Sequence, residues 1–211
     1  MSTADAFTHA EWQGFAAAMQ TISPLPDHEL DLMRSECHRL CLDKGQALLR
    51  AGEQAQTVGL VVSGGLREFY VLADGTERTK GFSLPGWFAG SLSDLLVPAP
   101  SKVWIEAAQP SVLVSLPWRA YQARVGRDAH WARFAQRMAE ALYLIKVQRE
   151  YELLALDAAA RLDATLARWP TLTQVFSQRD IASYVGVTPV HLSRLRGAKA
   201  KPPATGSRPS H

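Results

Sequence analysis

Three observations predict an α+β fold for this chain of 211 residues. Between Leu40 and Leu116 apolar residues recur with period two and are broken by glycine turns, which is the pattern of short antiparallel strands. From Asp128 to about Leu156 the spacing changes to three and four, the signature of one long amphipathic helix. Between Ser177 and Arg196 two short helical patterns flank a glycine, the spacing of a helix-turn-helix. Helices therefore lie on either side of a β-roll of barrel, sandwich or jelly-roll type.

Each element follows from local chemistry. Ala10 to Leu40 reads as two helices, with Phe15 and Met19 on one and Leu30, Met33 and Cys37 on the other. Pro24 and Pro26 separate them, and Asp27 is placed as the N-cap of the second. Leu40 and Leu42, then Ala47 and Leu49, then Val58, Leu60 and Val62 alternate as strands. Leu66 to Leu72 and Arg78 to Leu84 flank Ala73-Asp74-Gly75-Thr76, an Asp-Gly hairpin signal. Pro85-Gly86 turns the chain, and Val103–Ala107 and Val112–Leu116 close the strand region. Arg119 to Val125 is a short helix that stops at Gly126.

The long helix carries Trp131, Phe134, Met138, Ala141 or Leu142, Ile145 and Arg149 on one stripe. Such a stripe can pack on its own roll, pair with a second copy, or do both. A helix of some 40 Å, at about 1.5 Å per residue, is longer than a roll can cover. A homodimer seam along Trp131, Phe134, Met138, Ala141 and Ile145 is therefore expected. Asp157 then N-caps a separate helix bearing Ala160, Leu162, Leu166 and Trp169, which ends before Pro170. The domains expected are a sensor-like roll (1–126), a dimerisation helix (127–156), a helix-turn-helix module (157–197) and a disordered basic tail (198–211).

Composition bounds the function. Hydrophobic residues at 47% and charged residues at 20% suit a globular core. No apolar run reaches the roughly 20 residues of a membrane span, and MSTADAFTHAEW lacks a signal peptide's basic start, so a cytoplasmic protein without membrane contact is expected. Cys37 and Cys41, with only His38 between them, are a ligand short of a closed zinc site and read as small apolar residues. No metal or other cofactor is expected. A cupin-type enzyme would need a His-x-His pair on its strands, yet no histidine lies between His38 and His130. The chain is therefore read as a non-enzyme.

The C-terminal pattern is the most specific signal. Ile181 and Val185 share a face of the first helix, and Ala182 is small where a second helix must cross. Gly186 sits at the sharp turn, and Val187 plugs it. Thr188 and Pro189 suit the N-cap and first position of the second helix. Leu192 and Leu195 turn inward. Val190, His191, Ser193, Arg194 and Arg196 then face outward, as a helix reading a major groove would present them. From Phe176 to His211 there are six Lys/Arg against one acid, which leaves 17 against 19 in residues 1–175. The basic character is thus concentrated where double-stranded DNA would bind.

The succession of β-roll, long helix, Leu156-Asp157 hinge and helix-turn-helix resembles the Crp–Fnr family of bacterial transcription regulators. Gly52-Glu53, Gly64-Gly65, Pro85-Gly86-Trp87-Phe88-Ala89-Gly90 and Ser177 to Leu195 carry the resemblance. It implies a homodimer on a pseudo-palindromic DNA site, contact with RNA polymerase, and an effector of unknown identity. It also implies phosphate contacts from Ser177 and Thr188, and base contacts from Gln178, Pro189, Val190 and Arg194. Two departures qualify it. Cyclic-nucleotide binders of the family carry Gly-Glu and then Arg-Ser or Arg-Thr, whereas here Gly90 is followed by Ser91-Leu92 and the arginine region reads Ser101-Lys102-Val103. Lys102 offers no bidentate fork, so cyclic AMP is not expected to bind in the usual way. Arg67, Arg78 and Lys80 lie in the same β-region, where solvated strand faces explain them as well as a ligand would. The tail, with three prolines and no apolar period, lacks the strands of a complete wing. An alternative is a ligand-binding module that regulates a protein partner through its C-terminal helices.

Overall fold

The computed structural model describes residues 7–200. Two helices open the chain, α1 (His9–Ile22) and α2 (Asp27–Arg34). Thr8 caps α1 through a reciprocal capping box with Glu11. The N-cap of α2 is Pro26 and not Asp27, which becomes the first helical residue. There its carboxylate faces the free N–H groups of the first turn, a favourable placement for an acid.

Eight strands follow among the described residues: β1 (His38–Leu42), β2 (Ala47–Leu49), β3 (Thr57–Ser63), β4 (Leu66–Val71), β5 (Glu77–Ser83), β6 (Phe88–Ala89), β7 (Trp104–Ala107) and β8 (Ser111–Pro117). They form two antiparallel four-stranded sheets, ordered β1-β8-β3-β6 and β2-β7-β4-β5, and do not close into a barrel. The fold is α+β. Leu42, Leu49, Val61, Leu66, Ile105 and Leu113 fill the space between the sheets. The alternation of Val58, Leu60 and Val62 marks only one face of β3. That face packs on α1 and on the helix that follows the roll, while Val61 points into the roll. β3 is therefore covered on both sides.

The short helix α3 (Leu92–Leu96) bridges β6 and β7, and α4 (Trp118–Val125) leaves β8. The long helix α5 (Ala129–Ala155) is capped by Asp128, which accepts from the N–H groups of His130 and Trp131. Then come α6 (Ala158–Arg168), α7 (Leu172–Val175), α8 (Gln178–Val185) and α9 (Pro189–Ala200). Asp157 caps α6 by accepting the Ala160 N–H at 2.8 Å. Helix α9 runs through Gly197, so the first residues assigned to a tail are helical; residues 201–211, with the rest of the expected basic tail and any wing, lie outside the described residues.

Candidate nucleic-acid interface

Helices α8 and α9 form the helix-turn-helix, the candidate reading module. Ser177 caps α8, its hydroxyl accepting the Asp180 N–H while Asp180 reaches back to the Ser177 N–H. Gly186 ends α8 at φ 81°, a conformation in which a side chain would be strained. The N–H groups of Gly186 and Val187 both return to the Ala182 carbonyl, which fixes the turn. Thr188 accepts the His191 N–H at 3.2 Å and so caps α9. Leu192 is fully buried with Ile181, Ala182 and Val185, and Leu195 packs beside them.

That anchoring orients everything else on α9. Pro189, Val190, His191, Ser193, Arg194 and Arg196 are all exposed, with Val190 at 62%. Ser177, Gln178 and Thr188 are exposed at the two helix N-termini, where backbone N–H groups favour phosphate. The nine residues singled out in this segment are thus all exposed, at the starts of α8 and α9 and along the first two turns of α9.

The roll contains a cavity of about 470 Å³ lined by residues that include Leu49, Gln56, Thr57, Gly90, Ser91 and Ile105. Of the six pocket residues expected from sequence, only Gly90 and Ser91 form its walls. Val103 is buried between the sheets and Lys102 is exposed. Ser101 is buried and already partnered: its hydroxyl lies 2.6 Å from the Asp94 carboxylate and accepts the Val103 N–H at 2.9 Å. Burial acts to raise the Asp94 pKa. Hydrogen bonds from Ser101, Ser91 and Ser93, with the charge of Lys80, outweigh it and hold the carboxyl below the usual range. Where the resemblance would place a cation for a cyclic phosphate, this chain keeps an anion.

Helix α5 serves two partners in turn. Trp131 and Phe134, assigned to a dimer seam, are 0% and 2% exposed and belong to the core that joins α5 to α1 and the roll. Met138 packs partly against the same core. That placement corrects the seam, because a side chain already enclosed by its own chain has nothing left to offer a second copy. Arg149, on the same stripe, stacks over the Tyr184 ring at 3.8 Å and donates to the Tyr184 carbonyl. Ala141 and Ile145 stay exposed. Tyr143, Leu144, Val147, Tyr151, Leu153 and Leu154 are exposed as well.

Of the strand cations, Arg78 is exposed, as a solvated strand face would have it, while the other two are partnered. Lys80 pairs with Glu68 at 2.9 Å, and Arg67 pairs with Glu77 and Asp180. Cys37 is buried, which pushes its thiol up to about 12. Cys41 is exposed and its sulfur accepts from Arg39, so it does not behave as the small apolar residue expected. Among the described residues no three His, Cys, Asp or Glu side chains converge as a metal site would require, and no helix is long and apolar enough to cross a membrane.

The cyclic nucleotide-binding domain family matches residues 39–128. The fumarate and nitrate reduction regulatory protein of Yersinia pestis is 24% identical over 191 residues, covering 82% of this chain and 73% of that protein. The Escherichia coli protein of the same name is 23% identical over 189 residues, with the same coverage of each chain. Regulators of the Crp–Fnr family are thus what this chain is similar to, in sequence and in fold. Its fold matches FixK2 of Bradyrhizobium japonicum with a TM-score of 0.67 at 22% identity, over 82% of this chain and 90% of that one. The Thermus thermophilus catabolite activator protein matches with a TM-score of 0.53 at 25% identity, over 87% and 86%. The capping Asp180, the buried Glu152 and the internal carboxylate Asp94 were not found from sequence. Only Asp180 left a signal, the Ser-x-x-Asp spacing of a capping box.

Proposed function

We propose that this chain is a dimeric, sequence-specific DNA-binding transcription regulator of the Crp–Fnr family. The observation that carries the reading is the exposed face of α9, anchored from behind by Leu192. Arg194 is the base reader: its planar fork fits guanine O6 and N7, a pair that discriminates by ~1–3 kcal/mol. Ser177 and Thr188 hold phosphate, Gln178 and Val190 reach base edges, and Arg196 adds charge at the rim. The functional units are the roll (1–126), the dimerisation helix (127–156) and the reading module (157–197).

The dimer forms along the second half of α5. Leu144, Val147, Tyr151 and Leu154 step by three, four and three, which is a heptad seam, and each of them is exposed in the single chain. Two reading modules on such a seam address successive major grooves about 34 Å apart. The roll does not bind cyclic AMP in the usual way, because Asp94 occupies the hydrogen-bonding capacity of Ser101 and a second anion beside it would lack a matched cation.

A gel shift on the DNA upstream of the chain's own coding sequence, at moderate salt, tests this reading. The wild-type chain is expected to shift that DNA in preference to a scrambled duplex, and Arg194→Ala to lose the preference with only a small fall in general affinity. Absence of any sequence preference across salt concentrations would refute it.

A further inference from the structure

The reading module touches the roll where α8 lies along β5. β5 is the edge strand of its sheet, so its outward N–H and C=O groups need partners. Ser183 of α8 supplies them, accepting the Thr79 N–H at 2.9 Å and donating to the Glu77 carbonyl at 3.3 Å. Asp180, one turn earlier, meets Arg67 of β4 at 3.0 Å. The same guanidinium holds the Glu77 carboxylate at 2.7 Å and the Thr79 hydroxyl at 3.0 Å, over the face of Phe69. Nearby, Gly65 leaves room for α7: a Cβ there would come within 2.7 Å of Val175.

Arg67 is thus the cation shared by carboxylates from both sides of the contact. Glu106 on β7 faces the same cluster, and burial together with Glu77 and Asp180 raises its pKa against the lowering effect of Arg67. The side chain of Arg67 is 12% exposed, so these charges meet with little water to screen them. Asp180 also accepts from the Ser177 hydroxyl at 2.6 Å. Arg67 therefore fixes the carboxylate that shapes the first turn of α8. On the other side of the module, buried Glu152 of α5 pairs with Arg168 and Arg149. Neither contact covers α9, whose outward face stays exposed.

We infer that Arg67 is a positioning residue for DNA reading: through Asp180 it braces the helix-turn-helix against the roll, and so sets the half-site spacing that a dimer accepts. The inference rests on the DNA-reading function proposed above. Without the guanidinium, Asp180, Glu77 and Glu106 would face one another as like charges in a partly dry contact, and α8 would part from the β5 edge.

Two measurements on the full chain test it, using Arg67→Met, which keeps the stem over Phe69, and Arg67→Lys. Without DNA, Arg67→Met is expected to speed hydrogen exchange of the Ile181–Val185 amides by about tenfold, and Arg67→Lys by less. With duplexes whose two half-sites are separated by spacers lengthened one base pair at a time, fluorescence anisotropy is expected to give wild type one preferred spacing. Each step away should weaken binding by about tenfold, and Arg67→Met should flatten the profile to about threefold. Ser183→Ala leaves every charge in place and serves if Arg67→Met does not fold; it should speed exchange by about threefold. Unchanged α8 exchange in both variants would overturn the brace. Faster exchange with an unchanged spacing profile would overturn the positioning role. Wild type that binds no duplex at any spacing would overturn DNA reading and the role with it, while faster exchange in that case would leave the brace itself standing.

Discussion

The cavity in the roll and the face of α9 are both places where the sequence led us to expect a ligand, and they are built in opposite ways. Beside the cavity, Ser101 and Asp94 satisfy each other, and Ser101 is buried. On α9 the polar side chains of His191, Ser193, Arg194 and Arg196 are exposed, and Thr188 caps the helix backbone. A closed polar network holds a fold together, whereas an open one is available to a partner. The contrast supports the proposal that recognition lies at the C-terminal end, with the roll largely a platform.

The largest effect that would sharpen this contrast is on the platform. Trp131→Ala removes a fully buried indole and its hydrogen bond from Nε1 to Glu29, and should lower unfolding stability by about 3–5 kcal/mol in a denaturant melt. A loss under 1 kcal/mol would return Trp131 to the seam. Leu154→Asp should instead leave the melt of the monomer near wild type while shifting the chain from dimer to monomer in sedimentation. A stable dimer in the double variant Tyr151→Asp/Leu154→Asp would place the seam elsewhere.

Next in size is the reading face. Val190→Ala should weaken preference at a single base position by about threefold with no change in salt slope, and Arg196→Ala should reduce the salt slope by about one without altering preference. The smallest effect belongs to the cavity network. Asp94 has a depressed pKa in the folded chain, so the stability it contributes is present above its unfolded value of about 3.9 and is lost as pH falls through the lower folded value. Asp94→Asn should therefore melt below wild type at neutral pH and converge with it in acid. Calorimetry with cyclic AMP and cyclic GMP should show no micromolar binding by wild type, and such binding would refute the closed-network reading.

These two regions also show how far sequence reaches. The helix-turn-helix was legible because its determinants are local: Gly186 at the turn, Thr188 and Pro189 at the cap, Leu192 and Leu195 facing inward. The strands were legible from alternation, although Val61 shows that one strand can serve two cores at once. The expected seam was too long because its stripe on α5 faces the roll at Trp131 and Phe134 and α8 at Arg149, leaving only Ala141 and Ile145 of it exposed, beside Leu144, Val147, Tyr151 and Leu154. Periodicity identifies a helix face but not its partner. Arg67–Asp180 was invisible for another reason: it pairs elements that only the finished fold brings together.

Selection of bound duplexes from a random-sequence pool by the full-length chain, without added effector, tests the DNA-reading claim most directly. The expected result is enrichment of a pseudo-palindrome whose half-site centres lie one helical turn apart, about 10–10.5 base pairs, with guanine favoured at the position that Arg194→Ala relaxes. A bound pool no different in sequence from the input would contradict it.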